Sequence, residues 1–158
     1  ESFGSIGLAM TANGPTLPGS TTVKMTSGYY LWVGNLPSIL KYYTVNAANG
    51  TGNNVTLTYK YEALDLNGQI EASLALKNST NGGGLWTNKT GTLSTGTKTI
   101  THAATDVNGI WTAHANPPQG TIASSAAALS FTAEQNYLLP ASQPVTISNV
   151  NGSGSIIE

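Results

Sequence analysis

Three residues whose side chains could perform acid–base or metal chemistry flank one turn of the sequence. His102 lies in the segment T-H-A-A-T, Asp106 is the first residue of the turn D-V-N-G, and His114 follows that turn. Two imidazoles and a carboxylate can bind a metal or transfer protons, provided that they converge in space. The simpler interpretation is two partly exposed histidines and a turn Asp that caps its own backbone. We therefore expect no catalytic residues, no metal site and no cofactor.

Motifs of the common enzyme classes are missing from the sequence. It contains no G-x-S-x-G, no H-E-x-x-H and no phosphate-binding glycine loop. A pair of carboxylates for glycoside hydrolysis remains possible, because such residues can be distant in sequence and close in the fold. Only seven acidic residues are present to form it. The sequence thus favours a protein that is not an enzyme.

Aromatic residues offer a second kind of site. They cluster in one stretch, at Tyr29, Tyr30, Trp32, Tyr42 and Tyr43, and two further tryptophans follow at Trp86 and Trp111. Aromatic rings on an exposed sheet face could stack on sugar rings, although most such residues pack in a core or between strands. A secreted carbohydrate-binding module of the lectin type is therefore the main alternative function.

The charge and composition exclude several partners. Charged residues make up 8% of the 158 residues, every basic residue is Lys, and the net charge is −1. This gives no electrostatic reason to bind nucleic acid or an anionic membrane. No apolar run approaches the ~20 residues of a membrane span. The chain lacks cysteine and an initial Met, and we expect a protein that is secreted after removal of a signal peptide.

The elements that would position these residues are strands. Residues 55–63 alternate between apolar and polar side chains, and residues 70–76 do so again after Asn67-Gly68, which predicts a hairpin. The same turn pattern at 106–109 predicts a second hairpin. Further strands are expected at 21–26, 29–33, 42–46, 97–102, 122–132 and 145–149. Short strands at this spacing predict an all-β fold, an antiparallel, immunoglobulin-like or pilin-like β-sandwich.

The first residues form a segment of their own. Ile6, Leu8 and Met10 alternate with Gly7 and Ala9, and turn-forming residues follow at N-G-P and L-P-G-S. Such a strand either packs in its own domain or enters a neighbouring molecule by β-strand addition. We expect the second: an N-terminal donor-strand arm and linker at 1–20, a β-sandwich domain at 21–158, and a donor strand formed by Ser5, Ile6, Gly7, Leu8, Ala9 and Met10. Head-to-tail contacts that need not close then produce a filament of identical subunits.

N-glycosylation sequons occur mostly in glycine-rich stretches or at expected strand ends. Residues of the pattern N-x-S/T are predicted to carry N-linked glycans at Asn49, Asn54, Asn78, Asn88 and Asn151. The glycine-rich stretches around Asn49 and Asn78 are expected to be loop tips with the most room for a glycan.

A cysteine-free, Ser/Thr/Asn-rich chain with an apolar N-terminal arm and several sequons resembles the subunits of archaeal threads. These are glycosylated surface filaments of thermoacidophilic archaea, assembled by donor-strand complementation. The resemblance lies in composition and expected architecture over the whole chain. It implies a structural subunit of an extracellular, cell-surface pilus, with a role in cell adhesion. A jelly-roll capsid or surface-layer protein remains a second alternative.

Overall fold

The computed structural model describes residues 3, 5–116, 121–124 and 146–150. It divides the chain into two compact units, Glu1–Asn116 and Pro117–Glu158. In the first unit, residues 8–12 pair antiparallel with residues 55–59. The division of the chain into an arm at 1–20 and a domain at 21–158 stays a prediction. In the second unit, the described residues form one antiparallel pair of strands.

The described residues fold mostly into antiparallel β-sheet, as predicted. Two short 3₁₀ helices span Ala63–Leu66 and Glu71–Ser73. The strands are β1 Leu8–Ala12, β2 Thr21–Ser27, β3 Trp32–Val33, β4 Leu36–Pro37, β5 Lys41–Ala47, β6 Val55–Lys60, β7 Leu74–Ser79, β8 Thr87–Lys89, β9 Thr92–Ser94, β10 Thr99–Ala104, β11 Gly109–Ala115, β12 Thr121–Ser124 and β13 Ile147–Val150.

Two sheets of the first unit share one hydrophobic core. A four-stranded sheet has the order β1-β6-β10-β9, and a five-stranded sheet has the order β2-β5-β11-β7-β8. The buried cluster draws Leu57 and Tyr59 from the first sheet and Tyr43 and Trp111 from the second. Because each strand alternates its side chains between two faces, one row from each sheet fills the space between them. This arrangement is consistent with a β-sandwich.

Both predicted hairpins are wrong, although their turn chemistry is present. Asn67 and Gly68 have positive φ values of 52° and 74°, yet the strands on either side, β6 and β7, belong to different sheets. Asp65 is buried and forms an ion pair with Lys41, 2.8 Å from Nζ to Oδ2. Asp65 and its ion pair thus lie in a connection that crosses from the four-stranded sheet to the five-stranded sheet.

The second D-x-N-G segment also crosses between the sheets. Its strands, β10 and β11, lie in different sheets. Val107 is fully buried, and the Asn108 side-chain oxygen accepts a hydrogen bond from the Ala47 backbone N–H at 2.6 Å. A Cβ at Gly109, whose φ is 111°, would lie 2.4 Å from the Ser79 carbonyl oxygen, so this crossing requires glycine.

Candidate assembly site

Among the residues that the structure describes, β1 is the edge strand of its sheet, and its two sides differ. It pairs antiparallel with β6 in the register Leu8 with Tyr59 and Met10 with Leu57. Leu8 and Met10 are buried in the core, whereas Thr11 is exposed. Burying two side chains of this size contributes about 1.5–3 kcal/mol each. β1 is therefore fixed by one backbone ladder and one row of side chains.

The residues before β1 are held by a tyrosine of the other sheet. The Tyr43 hydroxyl donates a hydrogen bond to the Ile6 carbonyl oxygen at 2.6 Å, and the Lys60 backbone N–H donates to the Gly7 carbonyl at 2.7 Å. Burial, and then the charge of Asp65, raises the pKa of the Tyr43 phenol well above its usual value, so it stays a donor. Gly7 has a φ of 87°, and a Cβ there would lie 3.0 Å from the same hydroxyl.

The segment 13–20 connects β1 to β2, which belongs to the other sheet. Its backbone is tied at Asn13, whose N–H donates to the Asn54 carbonyl at 2.8 Å, and at Pro18, whose carbonyl accepts from the Asn49 N–H at 2.8 Å. An apolar cavity of about 210 Å³ lies where the end of β1 meets this segment. It is lined by Met10, Ala12, Leu17, Pro18, Gly19 and Val55. The segment thus covers the end of the core without filling it.

The structure places the predicted donor residues at one site, with a shifted strand. Ser5, Ile6 and Gly7 precede the strand, Leu8, Ala9 and Met10 form its first part, and it continues through Ala12. In this single chain the strand occupies its own sheet. The sequence signal missed Thr11 and Ala12, because neither is a strongly apolar residue, and it had no means of finding the Tyr43 contact.

The residues considered for catalysis or metal binding do not form a cluster. His102 lies on β10 in the four-stranded sheet, and His114 lies on β11 in the five-stranded sheet. His102 Nδ1 lies 2.5 Å from the Thr90 carbonyl oxygen. Within the described ranges, no group of three His, Cys, Asp or Glu residues could hold a metal ion.

The sequons differ in accessibility. Asn49, Asn54 and Asn88 are exposed, whereas Asn151 lies outside the described residues. Asn78 was expected in a loop, and this is wrong: it lies in β7 and is 3% exposed. Its side-chain amide donates to the carbonyls of Asn108 and Ile110, both at 3.3 Å. A glycan would replace one of the two hydrogens of this nitrogen, so the amide could keep at most one of those bonds, and the buried position leaves a glycan no room in the folded domain.

The aromatic residues differ widely in exposure. Tyr43 and Trp111 are fully buried, but Tyr29, Tyr30 and Trp32 are 70%, 44% and 58% exposed. The rings of Tyr30 and Trp32 meet edge to face, with centroids 5.4 Å apart. An exposed aromatic patch therefore exists at the start of the short β3–β4 pair.

No family model, curated protein or solved structure matches the chain. Among the residues that the structure describes, no helix has the length and apolarity required to cross a membrane.

Proposed function

We propose that the chain is a structural subunit of an extracellular filament, a thread-like pilus, whose subunits join head to tail by exchanging β1. The finer fold that accompanies this function is an immunoglobulin-like or pilin-like sandwich. The observation that carries the proposal is β1 itself. It is an edge strand joined to the rest of the domain by the segment 13–20, with Leu8 and Met10 in the core.

Exchange needs no new contacts, because the slot is the same in every copy. β1 of one subunit would pair with β6 of the next in the register seen within the chain, with Leu8 beside Tyr59 and Met10 beside Leu57. An empty slot would leave the edge of β6 unpaired, which is an aggregation hazard that a donated strand removes. The identical partner and the filament follow from repeating this contact.

N-linked glycans are part of the same proposal. Asn49, Asn54 and Asn88 have exposed side chains, so the folded domain leaves room for a glycan at each. Glycans at these positions suit an exported surface protein with a role in adhesion. Intact mass of material from the native source, compared with the 16.3 kDa polypeptide, tests this point.

A pair of engineered cysteines tests the exchange. Thr11 and Thr56 are opposite each other on β1 and β6, and the chain has no other cysteine. Opposite residues of an antiparallel pair are about 5.5 Å apart at Cα when hydrogen-bonded, which suits a disulfide. The double variant Thr11→Cys/Thr56→Cys is refolded at high concentration, oxidised and run on a non-reducing gel.

A ladder of covalent oligomers is the result expected from exchange. The matched control carries Thr11→Cys alone, which can form dimers but no ladder. A single monomer band with a closed internal disulfide would refute the exchange of β1. Electron microscopy of the same material should show thin filaments, and these should be lost when residues 1–12 are deleted.

The exposed aromatic patch supports a second candidate, a carbohydrate-binding module. Exposed Tyr and Trp rings can stack on sugars, and Tyr30 and Trp32 provide two exposed rings in contact, with the exposed Tyr29 next to them in the sequence. On this alternative, the purified chain is a discrete monomer that is retarded by an immobilised neutral polysaccharide, and Trp32→Ala abolishes the retardation. Absence of retardation in the parent chain removes this candidate.

A further inference from the structure

Lys77 is a buried lysine without an acidic partner. It is 7% exposed, and among the described residues its Nζ has no carboxylate within ion-pair distance. Its hydrogen-bond partner is the side-chain oxygen of Asn116, at 3.2 Å. A buried ammonium group normally requires a counter-charge. The other buried lysine, Lys41, has one, since it pairs with Asp65 at 2.8 Å.

The surroundings of Lys77 make its ammonium group easier to deprotonate. Burial lowers the pKa of this amine below its usual value, so at a given pH a larger fraction of it is neutral than for a lysine at the surface. A neutral, desolvated lysine amine is a nucleophile. The Lys77 amine contacts the side-chain amide of Asn116 through its oxygen Oδ1, and Oδ1 is bonded to the carbonyl carbon Cγ.

A third group lies on the same face of the sheet. β7 and β11 pair so that Lys77 is opposite Thr112, and Ala75 is opposite His114. Residues two apart on a strand point to one face, so His114 and Lys77 lie on the same side. His114 is 6% exposed, and its buried Nε2 has no hydrogen-bond partner within the described part of the chain. Burial, as the largest cause, lowers the pKa of His114 below its usual value, which favours a neutral imidazole whose unpartnered Nε2 can accept a proton.

We propose that Lys77 and Asn116 form an intramolecular isopeptide bond between β7 and the residue that follows β11. The Lys77 Nζ attacks the Asn116 Cγ, a Nζ–Cγ bond forms, and the Cγ–Nδ2 bond breaks. Of the two protons on the neutral amine, one stays on the new amide. The other passes through His114 Nε2 to the departing Nδ2, which leaves as ammonia. The reaction needs no oxidant or added reactant.

Peptide mapping of the intact chain tests this bond. The chain is produced in bacteria, folded and incubated, and its mass is expected to fall by that of one ammonia. Trypsin does not cleave at an acylated lysine, so cleavage at the remaining lysines should yield residues 61–89 attached to residues 99–158. The branched peptide is the decisive product, because succinimide formation at an Asn-Gly step also loses ammonia.

Matched variants assign the roles. Lys77→Arg keeps a donor beside Asn116 but cannot form the amide, and Asn116→Ala removes the acceptor, so both should lose the branched peptide. Lys41→Arg changes a buried lysine of the same five-stranded sheet and should retain it. His114→Gln should slow its appearance at least tenfold. Complete cleavage of the folded parent chain after Lys77, even after long incubation, would overturn the proposal.

Discussion

β1 and β11 contribute to one core but are held in opposite ways. β11 pairs on both sides, with β5 and β7, and its residues from Trp111 to Ala115 are all buried. Within the described part of the chain, β1 pairs with β6 alone, and its last two residues are exposed. A strand with two ladders and two covered faces cannot leave without disrupting the sheet. A strand with one ladder and one buried row can be exchanged for an identical copy.

The largest effect should come from the central strand. Trp111 is fully buried, and its Nε1 donates to the Val107 carbonyl at 2.8 Å. Trp111→Ala should lower the free energy of unfolding by about 3–5 kcal/mol, because it leaves a cavity and an unpaired carbonyl. Denaturant unfolding measures this. The control Trp32→Ala, at a 58% exposed position, should change stability by less than ~0.5 kcal/mol.

The second-largest loss of stability should come from a substitution in β5, which pairs with β11. Lys41 on β5 is paired with Asp65, and both side chains are 10% exposed. Lys41→Met leaves a buried carboxylate without its cation, so we expect a loss of about 3 kcal/mol. The matched variant Lys60→Met breaks the pair with Glu62, in which the side chains are 53% and 58% exposed, and should cost below ~1 kcal/mol. Equal losses in the two variants would contradict this ranking.

A substitution in the edge strand should lower the free energy of unfolding by less. Leu8→Ala removes a side chain that is 2% exposed, and we expect about 2 kcal/mol, near the lower limit for buried leucine, because the edge can relax. The control is Thr11→Ala on the same strand, where the side chain is exposed. A loss for Leu8→Ala that equals the loss for Trp111→Ala would remove the contrast between edge and centre.

The smallest effect concerns pH and the non-core face of β11. Burial lowers the pKa of His114 below 6.5. Above that value both folded and unfolded chains hold it neutral. As pH falls through 6.5, the unfolded chain binds a proton that the folded chain resists, so stability falls until the folded pKa is reached. His114→Gln should flatten the stability profile as pH falls through and below 6.5. Profiles with the same slope would contradict this assignment.

The sequence predicted the strands better than their pairing. Alternation in 55–63 is visible because β6 has one buried face, and the structure confirms a strand at Val55–Lys60. β11 is covered on both faces and shows no alternation that would assign it to the centre of a sheet. The two D-x-N-G segments have the chemistry of a tight turn, but whether a turn joins neighbours or crosses between sheets depends on distant partners such as Lys41 for Asp65.

The candidate assembly site was predicted in the same partial way. The apolar alternation marked Leu8 and Met10 correctly as one buried row. Contacts over long sequence separation, such as Tyr43 with Ile6, leave no mark in the pattern. The burial of Asn78 was missed because Asn78 begins the stretch N-S-T-N-G-G-G, whose composition is typical of a loop. The strand extends into the first residues of this stretch.

The segment 13–20 also determines the effective concentration of β1 at its own slot. It tethers β1 beside its own slot, and a short tether gives an effective local concentration on the order of millimolar. A neighbour's β1 offers the same contacts, so in dilute solution the chain's own strand wins at equilibrium. Subunits that have already closed would have to open before they could join. In a filament built by exchange, the strand must therefore meet its partner while the chains are folding and crowded together, and the place of folding becomes the place of assembly.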